Sequence, residues 1–280
     1  MSSSRERNDR KPPFRKGPEK REKPNGTRGS GRPAAQDGKD WLWGVHAVEA
    51  ALANPARGKP RRILATADRA KTLNARFGRL EVEIVEGRDI DRVLPQGAVH
   101  QGLAMKPEPL VPLSIDEIAS PAAGILVMLD QVTDPQNVGA IFRSAAAFGA
   151  RGVILQDRNA PALTGALAKA AVGAVDKIPH ASAVNLSRAL EELNELGWRT
   201  VGLAGAAAQT LEEALDGTPT VIVMGSEGEG LRRLVAEHCD VLAKIPMPGG
   251  FESINVSNAA AIALYECSRA RPLGEVVTQK

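Results

Sequence analysis

The sequence predicts an α/β fold: a doubly wound parallel sheet preceded by a small α/β domain and a disordered basic tail. Three observations predict it. From residue 124 onward, short apolar runs alternate with helical repeats at the spacing of successive β-α units. Residues 41–106 show the same alternation on a smaller scale and are set apart by a proline-rich stretch. Residues 1–40 hold 12 Lys and Arg against 6 Asp and Glu and have almost no aliphatic side chains. The predicted organisation is therefore a tail (1–40), a small domain (41–106), a linker (107–123) and a large domain (124–280).

The net charge of +3 conceals this asymmetry, because the chain after residue 40 carries 24 Lys and Arg against 27 Asp and Glu. The tail cannot bury enough surface to fold alone. It suits a basic arm lying along nucleic-acid phosphates, or a solubilising extension. Glu6, Asp9, Glu19 and Glu22 break the acid-poor pattern of an organellar transit peptide.

In the small domain, GVHAVEAALA predicts a helix, RRILATA a strand, ADRAKTLNARFG a helix closed by Gly78, and VEIVEG a strand. A short helix at IDRVL and a strand at GLAMKP complete it. The stretch PEPLVPLSIDEIASPAAG, with four prolines, reads as a linker. Beyond it the predicted order is ILVMLD strand, NVGAIFRSAAAFG helix, GVILQD strand, ALTGALAKAA helix, VDKIPHA strand, NLSRALEELNELG helix and RTVGLAG strand. TVIVMG strand, LRRLVAEHC helix, VLAKIPM strand and INVSNAAAIALYECSRA helix follow.

With 280 residues, 43% hydrophobic and 3% aromatic, the chain can fill two cores. No apolar run approaches the roughly 20 residues of a membrane span, and the charged N-terminus lacks a secretory apolar stretch. A cytoplasmic protein without a membrane partner is expected. Cys239 and Cys267 lack metal-ligand spacing and sit in apolar helical patterns, which predicts buried free thiols with neither disulfide nor metal.

Ligands of parallel sheets bind at the carboxyl ends of the strands, and three loops rich in polar residues fall there. In LDQVTDPQNVGAIFRSAAAFGA, Asn137 is placed to cap a helix whose one charge is Arg143. That helix should be buried nearly all round, so Arg143 needs an anionic partner, an opening to a site, or a route along its stem to solvent. In VIVMGSEGEGL, Glu227 occupies the middle glycine position of a dinucleotide fingerprint, and its charge opposes a pyrophosphate. Gly225, Gly228 and Gly230 with these carboxylates suit a cationic or hydroxyl-bearing ligand, or a tight capped turn. In IPMPGGFESINVSNAAAIALYE, Gly249 and Gly250 permit unusual backbone angles, and Ser253, Asn255 and Ser257 supply short hydrogen-bonding groups, as an adenosine pocket requires.

In this order and at these separations, the three segments resemble the motifs of the SpoU/TrmH family, S-adenosylmethionine-dependent RNA 2′-O-ribose methyltransferases of the SPOUT superfamily. The resemblance spans residues 124–268. Residues 41–106 resemble the L30-like RNA-recognition domain of the ribosomal-RNA branch. The resemblance implies a C-terminal trefoil knot, a homodimer through the knot with a shared active site, and no metal. It places S-adenosylmethionine on the backbone at Gly225, Ile245, Met247, Ile254 and Asn255. It makes Asn137, Arg143, Glu227, Ser253 and Asn255 the catalytic polar set, with Arg143 at the acceptor oxygen, oriented by Glu227. The implied substrate is a guanosine of large-subunit ribosomal RNA, with a transfer-RNA loop as the alternative. A non-enzymatic RNA-binding protein would explain the arm and the small domain but leave the three loops without purpose. A dehydrogenase is opposed by Glu227.

Overall fold

The computed structural model describes residue 38 and residues 40–250 and 253–270. The basic tail therefore lies outside the described residues, apart from residues 38 and 40. The N-terminal described part contains β1 (Leu42–Trp43), α1 (Val45–Ala53), β2 (Arg62–Ala65), α2 (Ala67–Phe77), β3 (Glu83–Ile84), α3 (Gly87–Asp91) and β4 (Leu103–Lys106). Its sheet runs β1-β4-β2-β3, with β4 antiparallel to both β1 and β2, and β3 parallel to β2. Successive side chains of a strand face opposite ways, so Leu42, Ile63 and Met105 join Val48 and Leu73 in one cluster. Trp43, Leu64 and Ala104 join Ile90 and Leu94 in another. Gly78 ends α2 at φ 79°, a conformation a glycine adopts without strain.

The rest of the chain contains α4 (Ile115–Ala119), β5 (Ile125–Leu129), α5 (Pro135–Ala147), β6 (Gly152–Gln156), α6 (Gly165–Ala171), β7 (His180–Ala183), α7 (Leu186–Glu195) and β8 (Arg199–Leu203). It continues through β9 (Gln209–Thr210), α8 (Leu211–Ala214), β10 (Thr220–Met224), α9 (Arg233–Glu237), β11 (Val241–Lys244) and α10 (Val256–Arg269). Among the described residues its sheet has seven strands in the order β7-β6-β5-β10-β8-β11-β9, every pair parallel. Every residue of β5 and β10 is buried, as central strands covered on both faces must be. Ile125, Val127 and Leu129 face Val138, Ile141 and Phe142 of α5, Leu167 of α6 and Leu264 of α10. Leu126 and Met128 face Ile118 of α4 and Leu190 and Leu193 of α7. Helices on both faces give the predicted α/β architecture with its parallel sheet.

Local differences from the sequence expectation have physical causes. The stretch read as a linker contains α4, held by a reciprocal capping box between Ser114 and Glu117, and it buries Ile115, Ile118 and Ala119 under the sheet. The strand expected from residue 175 begins at His180, because Ala174–Asp176 forms a 3-10 turn. There the Asp176 carboxylate accepts from Arg57 Nε at 2.5 Å and from Asn54 Nδ2 at 3.1 Å, a buried link between the two sheets. A second capping box, Thr210 with Glu213, opens the unanticipated α8. Among the described residues, no helix is long and apolar enough to cross a membrane.

Candidate active site

The first loop leaves β5 at Leu129 and enters α5. Asp134 is the cap, accepting from Gln136 N at 2.8 Å, with Pro135 at the first helical position. Asn137, expected to be the cap, instead lies inside the first turn, 9% exposed, with its amide free to face the next loop. Gly139 sets how close α5 comes to α6: a Cβ there would lie 2.4 Å from the Leu167 carbonyl oxygen.

The second loop folds back on itself. Ser226 and Gly230 exchange backbone hydrogen bonds at 3.1 and 3.0 Å, and Gly225 sits so close beneath them that a Cβ would lie 2.0 Å from the Gly230 carbonyl carbon. Only glycine fits there. Asp130, fully buried at the end of β5, ties the loop to its neighbour. Its N–H donates to the Met224 carbonyl at 2.7 Å, and its carboxylate accepts from Arg232 N at 2.9 Å and Arg232 Nε at 2.7 Å. This holds Arg232 at the cap of α9, which starts at Arg233, two residues later than the expected Leu231. The nearby Cys239 thiol is pushed up to about 12 by burial and by Asp240 and Asp130, so it stays protonated and unreactive.

Asn255 caps α10: its Oδ1 accepts from Ser257 N at 2.9 Å and from Asn258 N at 3.3 Å. Its Nδ2 donates to Glu227 Oε1 at 2.6 Å and to Asn137 Oδ1 at 3.0 Å. Glu227 Oε1 also accepts from Asn137 Nδ2 and from Val256 N, each at 3.2 Å. One carboxylate oxygen thus joins the first turn of α5, the second loop and the N-terminus of α10, where an anion is also favoured by the helix dipole. The polar crowding that opens the last helix is a cap and a cross-link at once.

Ser253 and Ile254 lie exposed just before this cap, and Ile245 and Met247 are half-buried after β11. Gly250 takes φ 77°, whereas Gly249 has an ordinary backbone; a Cβ at either would meet nothing within 4 Å among the described residues. Of the two glycines, only Gly250 has the unusual conformation. The structure therefore brings Asn137, Glu227 and Asn255 into contact and sets Ser253, Ile254, Gly225, Ile245 and Met247 on the loops around them.

Helix α5 is not buried all round, and Arg143 takes the solvent-facing alternative. Helix α5 buries Val138, Ile141, Phe142 and Ala145, but Arg143 projects from its open side, exposed and without a hydrogen bond or ion pair among the described residues. Glu227 is committed to the two asparagines and does not orient it. Sequence reasoning passed over Asp130 and Arg232, although a carboxylate directly after a wholly apolar strand is itself a signal that it needs a buried partner.

Comparison with known proteins places these loops. Residues 124–265 match the SpoU rRNA Methylase family. An uncharacterized tRNA/rRNA methyltransferase of Mycolicibacterium gilvum is 42% identical over 195 residues, 68% of this chain and 62% of its own length. The chain thus spans less than two thirds of that relative. The 23S rRNA (guanosine-2′-O-)-methyltransferase of Pseudomonas syringae is 40% identical over 82% of this chain and 95% of its own. The AdoMet-bound rRNA methyltransferase of Sinorhizobium meliloti superposes with a TM-score of 0.70 at 26% identity, covering 82% of this chain and 86% of that one. The family match covers every element that supplies the cluster, and with the long alignment to the Pseudomonas protein it makes this chain a member of the SpoU rRNA methylase family.

Proposed function

We propose that this protein is an S-adenosylmethionine-dependent RNA 2′-O-ribose methyltransferase acting on a guanosine of large-subunit ribosomal RNA. The observation that carries the proposal is the three-loop cluster, Asn137, Glu227 and Asn255 joined through one carboxylate oxygen, with Arg143, unpartnered among the described residues, on the helix that supplies Asn137. The loops fit the cofactor: half-buried Ile245 and Met247 and exposed Ile254 offer apolar surface, and the open space at Gly228, Gly249 and Gly250 leaves room for a nucleoside beside the cap of α10. Gly225, Ile245, Met247, Ile254 and Asn255 would hold it. Bound there, it supplies an electrophilic methyl group.

The chain's own residues do the rest. Asn137 and Asn255, fixed by Glu227, order the two helix N-termini that flank the acceptor, so that the hydroxyl approaches in line. Arg143 stabilises the oxygen as its proton leaves. A guanidinium stays protonated at neutral pH, so its role is electrostatic and not that of a base. Ser253, exposed beside the cap, supplies a hydroxyl to the same opening. Residues 41–106 act as an L30-like RNA-recognition domain, and the basic tail lies along phosphates. The C-terminal part forms a trefoil knot through which two copies pair, a reading supported by the exposed Ile262 and Tyr265 on α10, which packs against the helix of Arg143. The protein works in the cytoplasm, where its substrate is.

Incubating the full-length protein with labelled S-adenosylmethionine and total RNA from cells lacking the gene tests this. Label in 23S RNA at a ribose is expected. Label confined to transfer RNA would move the substrate assignment to the alternative, and no cofactor binding would leave only an RNA-binding protein.

A further inference from the structure

The two sheets share a helix. Ala168 of α6 is buried in the cluster that Leu42, Val48, Ile63 and Met105 build within residues 41–106, whereas Leu167 and Ala171 of the same helix are buried in the cluster of β5 and α5. Seven residues of helix thus fill both cores at once. The seam around them is tight: Gly165 N donates to the Trp41 carbonyl at 2.8 Å, and α6 ends at Val172, with φ 52°, and Gly173, with φ 85°. A β-branched residue holds left-handed backbone only where its surroundings impose it. Here α1 supplies those surroundings, because a Cβ on Gly173 would lie 2.7 Å from Ala50 Cβ and 2.9 Å from the His46 carbonyl oxygen.

Three residues further on, the Asp176 carboxylate accepts from Arg57 Nε at 2.5 Å and Nη2 at 3.2 Å, while Arg57 Nη1 donates to the Glu108 carbonyl at 3.0 Å. Both charged side chains are 2% exposed. Such a fork fixes angle as well as distance, and removing one partner leaves a charge that only water can satisfy. Helix α6 also bears on α5, where a Cβ on Gly139 would lie 2.4 Å from the Leu167 carbonyl oxygen. Arg143 is four residues beyond Gly139, one turn along the same side of α5. An unbroken series of buried contacts therefore runs from the core of residues 41–106 through α6 to the helix of Arg143.

We infer that α6 and the Arg57–Asp176 pair make residues 41–106 and the methyl-transfer site one rigid unit, so that the acceptor ribose is chosen by its fixed distance from the RNA gripped by residues 41–106; this rests on the methyltransferase function proposed above and on the RNA-recognition role given there to those residues. Arg57 and Asp176 are positioning residues: being buried, they touch neither RNA nor cofactor, and they set the reach from the RNA grip to Arg143. A grip joined by a loose segment would present several riboses in turn, because a flexible chain spreads its ends over a range of distances. A docked one presents a single ribose.

The test uses the full-length protein, labelled S-adenosylmethionine and an unmodified 23S RNA transcript, with Asp176→Ala and Gly173→Ala as independent ways to loosen the seam. Asp176→Ala leaves Arg57 a buried charge that water reaches only if α1 lifts. Gly173→Ala keeps the ion pair and pushes on α1 directly, so it serves even where the first variant fails to fold. Amide exchange at Gly165 reports docking, since its N–H donates across the seam, and it should quicken in both variants. Their kcat should fall on the order of 100-fold, the cost of misplacing reacting groups by about 1 Å, while KM for RNA and cofactor affinity stay unchanged. Methyl groups confined to one ribose in the wild type should spread to its neighbours, which a merely weakened fold would not cause. Faster exchange with undiminished kcat and a single methylated ribose, a loss confined to KM, or unchanged exchange in both variants would overturn the inference and leave the methyltransferase function standing. A wild type that transfers no methyl group to the transcript removes that function, and this inference with it.

Discussion

Replacing Glu227 by alanine tests the cluster as an organiser. Three donors converge on Glu227 Oε1: Asn255 Nδ2 at 2.6 Å, and Asn137 Nδ2 and Val256 N at 3.2 Å. Glu227 and Asn255 are exposed, so water can replace much of what they lose. Asn137 is 9% exposed; its Oδ1 still accepts from Asn255 Nδ2, but its own Nδ2 keeps only the Asp134 carboxylate, at 3.4 Å. The stability cost is therefore close to that of one buried donor left poorly paired, about 1–2 kcal/mol. For a chain of this size that is a fall in Tm of about 2–8 °C. Methyl transfer should fall much further, on the order of 100-fold, because the helix N-termini flanking the acceptor lose their common anchor and a misplacement of about 1 Å costs that much. Glu227→Gln, which keeps an accepting oxygen, should recover most of the Tm. Thermal melts and single-turnover methyl transfer on both variants decide the matter: an alanine variant with unchanged Tm and rate would show that the carboxylate organises nothing.

Arg143→Ala should change stability by no more than the usual ±0.5 kcal/mol of a surface change and leave cofactor affinity intact while abolishing transfer; weak cofactor binding with normal turnover at saturation would refute its assignment to the acceptor oxygen. Gly225→Ala should weaken S-adenosylmethionine binding by about tenfold or more in equilibrium dialysis, because a Cβ 2.0 Å from the Gly230 carbonyl carbon forces the loop open. Gly249→Ala, with nothing among the described residues within 4 Å, should leave Tm unchanged, and equal losses of Tm at the two glycines would contradict this account of the loops. His180 is buried, and burial, reinforced by the charge of Arg57, holds its pKa below the usual value of 6.5. The unfolded chain therefore takes up a proton near that value before the folded one does, so stability is lost as pH falls below about 6.5. His180→Gln should flatten the difference in Tm between pH 7.5 and pH 5.5, and an undiminished difference would assign it to other groups.

What the sequence made legible depended on how local each signal was. The strands ILVML and TVIVM and the helices carrying Arg143 and Asn255 combine an apolar period with flanking turn residues, and all four stand where expected. The capping boxes at Ser114 and Thr210 were equally local, but the helices they open have five and four residues, too short for periodicity to register. The delayed start of β7 arises from Arg57, far away in sequence, which claims Asp176. At the site, the membership of the three loops could be read, but the wiring could not. Ala, Ser and Gly on the outer face of α5 look nearly as apolar as its core face, so the pattern left open whether Arg143 was enclosed or, as it is, open to solvent. Whether Glu227 meets an arginine or two asparagines depends on how β5 and β10 pair, which no local pattern encodes.

The central claim is that the acceptor is a ribose oxygen, and the most direct measurement uses two otherwise identical 23S RNA transcripts, one with a single 2′-deoxy nucleotide at the mapped target. Incubated with the full-length protein and labelled S-adenosylmethionine, the ordinary transcript should gain one 2′-O-methylguanosine by mass spectrometry. The deoxy transcript should bind almost as well and gain no methyl group. Methylation of the deoxy transcript at the usual rate would put the methyl on a base and contradict the role given to Arg143.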